Sequence, residues 1–365
     1  MSETRMDILL EARGLTTQLI TRNGTITAVD QVSLAVRKGR VLALVGESGS
    51  GKSMTCASML GLLPANGRAV AGEVLFRGRD LLRLPARELR KVRGRQIGMV
   101  LQDAMTSLNP LLTIGEQVGE VFRWHHGVTD RKELRRLSIE ALEAVRIPAA
   151  AQRLDSYPFQ FSGGMRQRVS IAINIACSPD LLICDEPTTA LDVTVQMQIL
   201  GLLKDLQATR GMTIVFITHD LQLAAQFCDD VAIMYAGRIV EQGPIADVFA
   251  HPVHPYTEGL LRAMPSLAGG DAPLRTIPGT PPLPRDWAAG CRFAPRCPEA
   301  AARCHAAYPN WFEWDHGDGG DGGLRRVACW HAVRRAEVAY ASGAPDAHDA
   351  VAQPVPNPPA AQEAA

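Results

Sequence analysis

The stretch Gly46-Glu47-Ser48-Gly49-Ser50-Gly51-Lys52-Ser53 decides how the chain is read. Its spacing is G-x-x-x-x-G-K-[ST], the pattern of a loop that cradles phosphate groups. Val41-Leu42-Ala43-Leu44-Val45 precedes it, a short apolar run of the kind expected for a buried parallel strand. Ser53 to Leu63 follows with few breakers and predicts a helix. Strand, glycine loop and helix together form the context that this motif needs. The glycines let backbone N–H groups turn inward, where they and the helix N-terminus hold anions. Lys52 is placed to reach the β- and γ-phosphates, and the Ser53 hydroxyl to hold Mg²⁺. Gly46, Ser48, Gly49, Ser50, Gly51, Lys52, Ser53 and Met54 are therefore the expected phosphate-side contacts.

A chain of 365 residues can bury a large core. Lys+Arg and Asp+Glu both number 38, so the net charge is zero, and the balance argues against a nucleic-acid surface. The longest apolar runs fall far short of the ~20 residues needed to cross a bilayer. The N-terminal MSETRMDILLEARG lacks a signal-peptide core, so a cytoplasmic protein is expected, with any membrane role exercised through partners.

Residues 6–45 read as short strands with a turn at Arg22-Asn23-Gly24, the edge of a sheet. The basic stretch from Arg87 to Arg95 reads as the wet face of a helix. Gln102 ends the strand Ile97–Leu101, where it can bind Mg²⁺ or the attacking water. Residues 114–150 carry helical periodicity and form a helical insert. Ser162-Gly163-Gly164 opens a helix and makes a second anion site. Two such sites with one phosphate loop point to a head-to-tail pair of subunits, each Ser-Gly-Gly closing on the other's nucleotide. Leu181–Cys184 is a buried strand ending in Asp185 and Glu186. Asp185 is placed to hold Mg²⁺, and Glu186 to polarise water as general base. Asp192 is positioned for signalling between subunits, and His219, at the end of the strand Met212–Ile217, for contact with the γ-phosphate.

Taken together, these residues resemble the ATP-binding subunit of an ABC transporter, over about residues 8–265. The resemblance makes Gly46–Ser53 the Walker A loop, Gln102 the Q-loop glutamine and Ser162–Arg168 the signature. Asp185 and Glu186 become the Walker B pair, Asp192 the D-loop aspartate and His219 the switch histidine. It implies an α/β fold, a P-loop NTPase with a RecA-like core, an antiparallel β edge, a helical insert and a small C-terminal cysteine-bearing extension. The expected domains are 1–248 for the nucleotide-binding domain, with the insert at about 105–175. The extension follows at 249–335 and a disordered Ala/Pro-rich tail at 336–365.

A narrower resemblance is to the importers of dipeptides, oligopeptides and nickel. It rests on Gln102-Asp103-Ala104-Met105-Thr106-Ser107-Leu108-Asn109-Pro110, on Met165 in the signature and on His251-Pro252-Val253-His254-Pro255-Tyr256-Thr257. It implies ATP and Mg²⁺ as ligands and a second, homologous ATPase subunit as partner. It also implies two membrane permease subunits, an extracytoplasmic solute-binding protein and a place at the cytoplasmic face of the inner membrane. Peptides are the expected solute and nickel the alternative. A soluble ABC ATPase would need a long coiled-coil insertion or tandem cassettes, and a redox protein would not need the full hydrolytic set.

Cys56, Cys177, Cys184 and Cys228 stand singly in apolar segments, as small buried thiols do. Cys291, Cys297, Cys304 and Cys329 cluster in a Pro/Gly/Arg-rich region with little apolar material for a core of its own. Their spacing, C-x5-C-x6-C-x24-C, has no C-x2-C pair and fits a zinc knuckle poorly. Four thiolates suit a [4Fe–4S] cluster, which several peptide-importer ATPases carry here. Zinc, free or disulfide-bonded thiols, and a mixed site with His305 or His331 remain alternatives.

Overall fold

The apolar run before each motif becomes a buried strand. The computed structural model describes residues 8–102, 107–189, 191–264, 276–314, 325–335 and 353–355. In chain order the strands are β1 (Ile8–Thr21), β2 (Gly24–Arg37), β3 (Val41–Val45), β4 (Gly67–Phe76), β5 (Arg79–Asp80), β6 (Ile97–Val100) and β7 (Leu181–Asp185). They continue as β8 (Thr213–Thr218), β9 (Asp230–Tyr235), β10 (Arg238–Pro244), β11 (Trp311–Trp314), β12 (Arg325–Val327) and β13 (Gln353–Val355). The chain divides into two compact units, one made of residues 1–9, 36–41 and 83–217, the other of 10–35, 42–82 and 218–365.

In the first unit β6, β7 and β8 run parallel, with Ile97 opposite Leu181 and Leu181 opposite Thr213. Every residue of β7 is buried, as expected for a parallel strand covered on both faces. Helix Gly163–Ile175 lies directly on β6. A Cβ on Gly98 would stand 2.5 Å from the Asn174 carbonyl oxygen, and Asn174 Oδ1 accepts the Met99 N–H at 3.0 Å. The helical insert appears as Ile114–His126 and Arg131–Ala144. Thr113 and Glu116 close a reciprocal capping box on the first, and Asp130 caps the second. Both bury one stripe, Val118 and Phe122 on one helix, Leu134 and Leu142 on the other. In helix Ala86–Val92 only Val92 is buried, while Arg87, Arg90 and Lys91 face solvent as expected.

In the second unit β2-β1-β4-β5 form an antiparallel sheet, β1 pairing β4 from Leu10 opposite Phe76 to Leu19 opposite Gly67. β3 pairs in parallel with β9, placing the phosphate loop at the end of a buried strand. From β9 the ladder continues antiparallel through β10, β12 and β11 to β13. The extension thus adds strands to the sheet, which its Pro/Gly-rich sequence did not announce. It also has a small core, Val253, Val327, Cys329 and Ala332, with Phe312 against it. The tail expected at 336–365 lies outside the described residues apart from β13. So do Asp103-Ala104-Met105-Thr106 of the Q-loop region.

One buried ion pair ties the extension to β10. Arg325 and Glu241 are both fully buried, their side chains 2.7 Å apart. The Glu241 carboxylate also accepts the N–H groups of Val253 and His254, each at 2.9 Å. The Arg325 guanidinium donates further to the carbonyls of Asp247 and His251. Removing one member of such a pair leaves an uncompensated buried charge. Arg325→Met is expected to lower stability by about 3–5 kcal/mol, read as a shift of the denaturant midpoint. An unchanged midpoint would show that the pair does not hold the extension.

Candidate functional site

Three glycines shape the loop at 46–53, through close backbone contact, positive φ or both. A Cβ on Gly46 would stand 2.1 Å from the Met234 carbonyl oxygen, so the loop starts in backbone-to-backbone contact. Gly49 and Gly51 have φ of 77° and 105°, where L side chains are strained. Behind Gly51 a Cβ would meet the Ala28 oxygen at 2.8 Å. Lys52 is buried, and its Nζ donates to the carbonyls of Gly46 at 2.9 Å and Glu47 at 3.1 Å. The ammonium therefore lies across the loop mouth, held by the carbonyls of the loop it serves. Ser50 Oγ is buried with no hydrogen-bond partner among the described residues, an orphaned polar atom that suits a phosphate oxygen. Ser48, Gly49 and Ser53 are exposed, and Met54 is half-buried. His219 is exposed just beyond β8, and Asp220 caps the next helix, Leu221–Phe227.

The carboxylate pair lies in the other unit. Asp185 ends β7 and is 5% exposed. Glu186 follows with φ 45°, a left-handed conformation that costs a residue with a side chain about 1–3 kcal/mol. Its N–H donates to the Ile217 carbonyl at 3.1 Å. Its Oε2 accepts from Gln102 Nε2 at 3.1 Å and from Thr189 Oγ1 at 2.9 Å. Gln102 and Glu186 are thus brought together, and Thr189 is a third member that the sequence reading did not single out. The neighbouring hydroxyl at Thr188 gave it no distinguishing signal.

Ser162 caps helix Gly163–Ile175, its Oγ accepting from the Met165 N–H at 3.3 Å. Gly164 presses on helix Val193–Arg210, where a Cβ would meet Val195 Cγ1 at 2.5 Å. Asp192 caps that second helix, accepting the Val195 N–H at 2.9 Å. Ser162, Gly163, Gly164 and Asp192 therefore share one corner, in which Gly163 faces Leu191.

Cys291, Cys297, Cys304 and Cys329 line one pocket together with His254, Phe293, Trp330 and His331. All eight cysteines are free thiols. Burial pushes Cys291 up to about 11 and Cys329 up to about 12, and raises Cys297 as well. Cys304 Sγ and His331 Nε2 are 3.9 Å apart. The donor set is that of a tetrathiolate centre. Among the described residues, however, no three Cys, His, Asp or Glu side chains are close enough to hold a single ion. The four thiols, Cys304 and Cys329 buried and Cys291 and Cys297 half-buried, stand around a common pocket without forming such a group. His254 serves the backbone: its Nδ1 accepts the Tyr256 N–H at 3.0 Å and caps helix Pro255–Arg262. Burial holds its imidazole down to about 3. The flanking prolines and the histidine thus build a fixed turn. The glycine-rich run from Gly317 to Gly323 lies outside the described residues.

Two family models match the chain. One is described as ABC transporter and covers residues 29–189. The other is described as oligopeptide/dipeptide transporter, C-terminal region, and covers 240–304. The chain is 49% identical over 303 residues to the oligopeptide transport ATP-binding protein OppD of Salmonella typhimurium, spanning 83% of this chain and 90% of that protein. It is 47% identical over 330 residues to the protein of the same name from Haemophilus influenzae, spanning 90% and 99%. A putative peptide import ATP-binding protein of Brucella abortus is 50% identical over 301 residues, spanning 82% and 90%. Among solved structures, the dimeric post-hydrolysis state of the ATP-binding cassette MJ0796 bound to ADP and Pi is 30% identical. It matches with a TM-score of 0.58 over 65% of this chain and 98% of that one. No helix among the described residues is long and apolar enough to cross a membrane.

The contact behind Gly46 gives a test of the loop. Gly46→Ala forces a methyl group into the Met234 backbone and is expected to cost about 1–3 kcal/mol of stability. It is also expected to weaken ATP binding, and both can be read by denaturant titration and nucleotide titration. Wild-type values in both would show that the loop is free to move.

Proposed function

The chain belongs to the ABC transporter family, in its oligopeptide and dipeptide branch, and we propose from that premise how its residues carry ATP-driven import. It is an ATPase subunit that powers a peptide importer. The observation that carries this reading is that the match runs through both the cassette and the extension. A generic cassette would match only the first. The relatives named above are ATP-binding proteins of oligopeptide transport or putative peptide import, which favours peptides over nickel.

In the mechanism we propose, the N–H groups of Gly46 to Ser53, with Ser48, Ser50 and Met54, embrace the phosphates of ATP. Lys52 exchanges its loop carbonyls for the β- and γ-phosphates, and Ser53, Gln102 and Asp185 are the residues that would hold Mg²⁺, which when bound would neutralise charge developing on the phosphates. Glu186 takes a proton from the attacking water. The bonds from Gln102 and Thr189 aim its carboxylate, and the left-handed backbone supports that pose. His219 contacts the γ-phosphate. Ser162, Gly163 and Gly164 close on the nucleotide of a second, homologous subunit, with Asp192 signalling between the two. Two permease subunits hold the pair at the cytoplasmic face of the inner membrane, and a solute-binding protein delivers the peptide. Binding of two nucleotides closes the dimer, and hydrolysis reopens it.

Replacing Glu186 with Gln is expected to leave ATP binding intact and lower turnover by roughly 10²–10⁴-fold. Turnover within threefold of wild type would remove Glu186 from the role of base.

The four-cysteine pocket is the second part of the proposal: it takes a [4Fe–4S] cluster, supported by four thiols around one pocket. Its role is structural, since ligand binding there adds folding energy to the extension. Protein purified without oxygen is expected to be brown, with about four irons per chain, and Cys297→Ser to bleach it. A colourless preparation holding one zinc per chain would replace the cluster with zinc.

A further inference from the structure

The phosphate loop carries a feature that its motif leaves open. Position 47 is a glutamate, so a carboxylate stands within a loop built to receive polyanions. Left unpaired, it would oppose phosphate binding through like-charge repulsion. In the structure it is not unpaired. Arg296 meets it with both ends of its guanidinium, Nη1 to Oε2 at 2.9 Å and Nη2 to Oε1 at 3.2 Å. This is the two-bond fork that makes arginine–carboxylate contacts strong and directional.

The guanidinium is itself fixed. Its Nε donates to the Pro278 carbonyl at 2.9 Å, and Nη1 reaches Tyr235 Oη at 3.3 Å. The side chain is only 6% exposed. A second contact holds the same loop residue by its backbone: the Glu47 N–H donates to Tyr256 Oη at 3.0 Å. Tyr256 is fully buried, and its ring packs on Tyr235 and Phe293 with centroids 4.6 and 5.4 Å away. Glu47 O, in turn, accepts from Lys52 Nζ at 3.1 Å. Glu47 is thus held at its N–H, its carbonyl and its carboxylate, two of these by residues of the C-terminal extension.

We propose that Arg296 and Tyr256 are positioning residues of the nucleotide site, acting through Glu47. Arg296 cancels the carboxylate charge and Tyr256 fixes the second residue of the loop, so that the C-terminal extension sets ATP affinity. The proposal rests on the reading of residues 46–53 as the ATP phosphate site.

The test uses the full chain, a fluorescent ATP analogue with Mg²⁺, and denaturant midpoints measured in parallel. Arg296→Gln leaves Glu47 bare and is expected to raise the dissociation constant roughly tenfold or more. Adding Glu47→Gln to it removes the exposed charge and is expected to restore most of the affinity. Tyr256→Phe, which removes one oxygen, is expected to weaken binding several-fold with the midpoint nearly unchanged. A dissociation constant within twofold of wild type in Arg296→Gln, or a double variant no tighter than the single, would overturn the proposal. If Arg296→Gln does not fold, Tyr256→Phe decides alone, and wild-type affinity there overturns it. A wild-type chain that does not bind the analogue would defeat the ATP reading itself, a result distinct from both.

Discussion

A single buried carboxylate, Glu241, organises the C-terminal third of the chain. It has no solvent exposure, and it receives a guanidinium from 84 residues further on and two backbone N–H groups from the turn at 253–254. Neither charge has water to fall back on, so each requires the other. Around them the geometry follows: β12 sits beside β10, the 251–257 turn is fixed, and helix Pro255–Arg262 starts where His254 caps it. That helix delivers Tyr256 to the phosphate loop. The route from a structural salt bridge to the loop at 46–53 is therefore short and made of named contacts.

Both units contain the same local device, a strand end or a turn running into a helix N-terminus. In one, β3 gives way to the glycine loop and Lys52. In the other, Ser162 caps a helix whose first glycines lie against Val195 and Leu191. In the proposed mechanism backbone N–H groups do the recognising, and side chains set the shape of the backbone. This division explains why the glycines matter more for what they lack than for what they touch. It also explains why Glu186 is held by neighbours as well as by its own strand. A residue at φ 45° stays there only because Ile217, Gln102 and Thr189 hold it.

Much of this was legible in the sequence, and the rest was hidden for physical reasons. The phosphate loop, the Asp185-Glu186 pair and the Ser162 cap are local patterns, each legible within ten residues. The insert helices announced themselves by apolar periodicity. β11 and β12 did not. They are three or four residues long, with charged residues inside them; β12 pairs with β10, where Gln242 and Arg326 are 84 positions apart, and β11 pairs with β12. Nothing in the local sequence Arg325-Arg326 marks a residue with no exposure. The cysteine quartet could be seen to cluster, and its convergence on one pocket followed. The readiness of that pocket for a metal did not follow from spacing. Arg296 was unreadable because its partner lies 249 residues away.

That separation has a consequence for how the protein is made. Synthesis runs from the N-terminus at about 5–20 residues per second. Glu47 therefore leaves the ribosome roughly 12–50 seconds before Arg296. Through that interval the nascent chain carries the phosphate loop without the extension that braces it. The 291–297 turn and β12, translated long after the loop, close the guanidinium over Glu47 and fill the carboxylate site at Glu241. On the proposed bracing, full ATP affinity is reached only after residue 296 has been translated, 249 positions after the loop residue it holds.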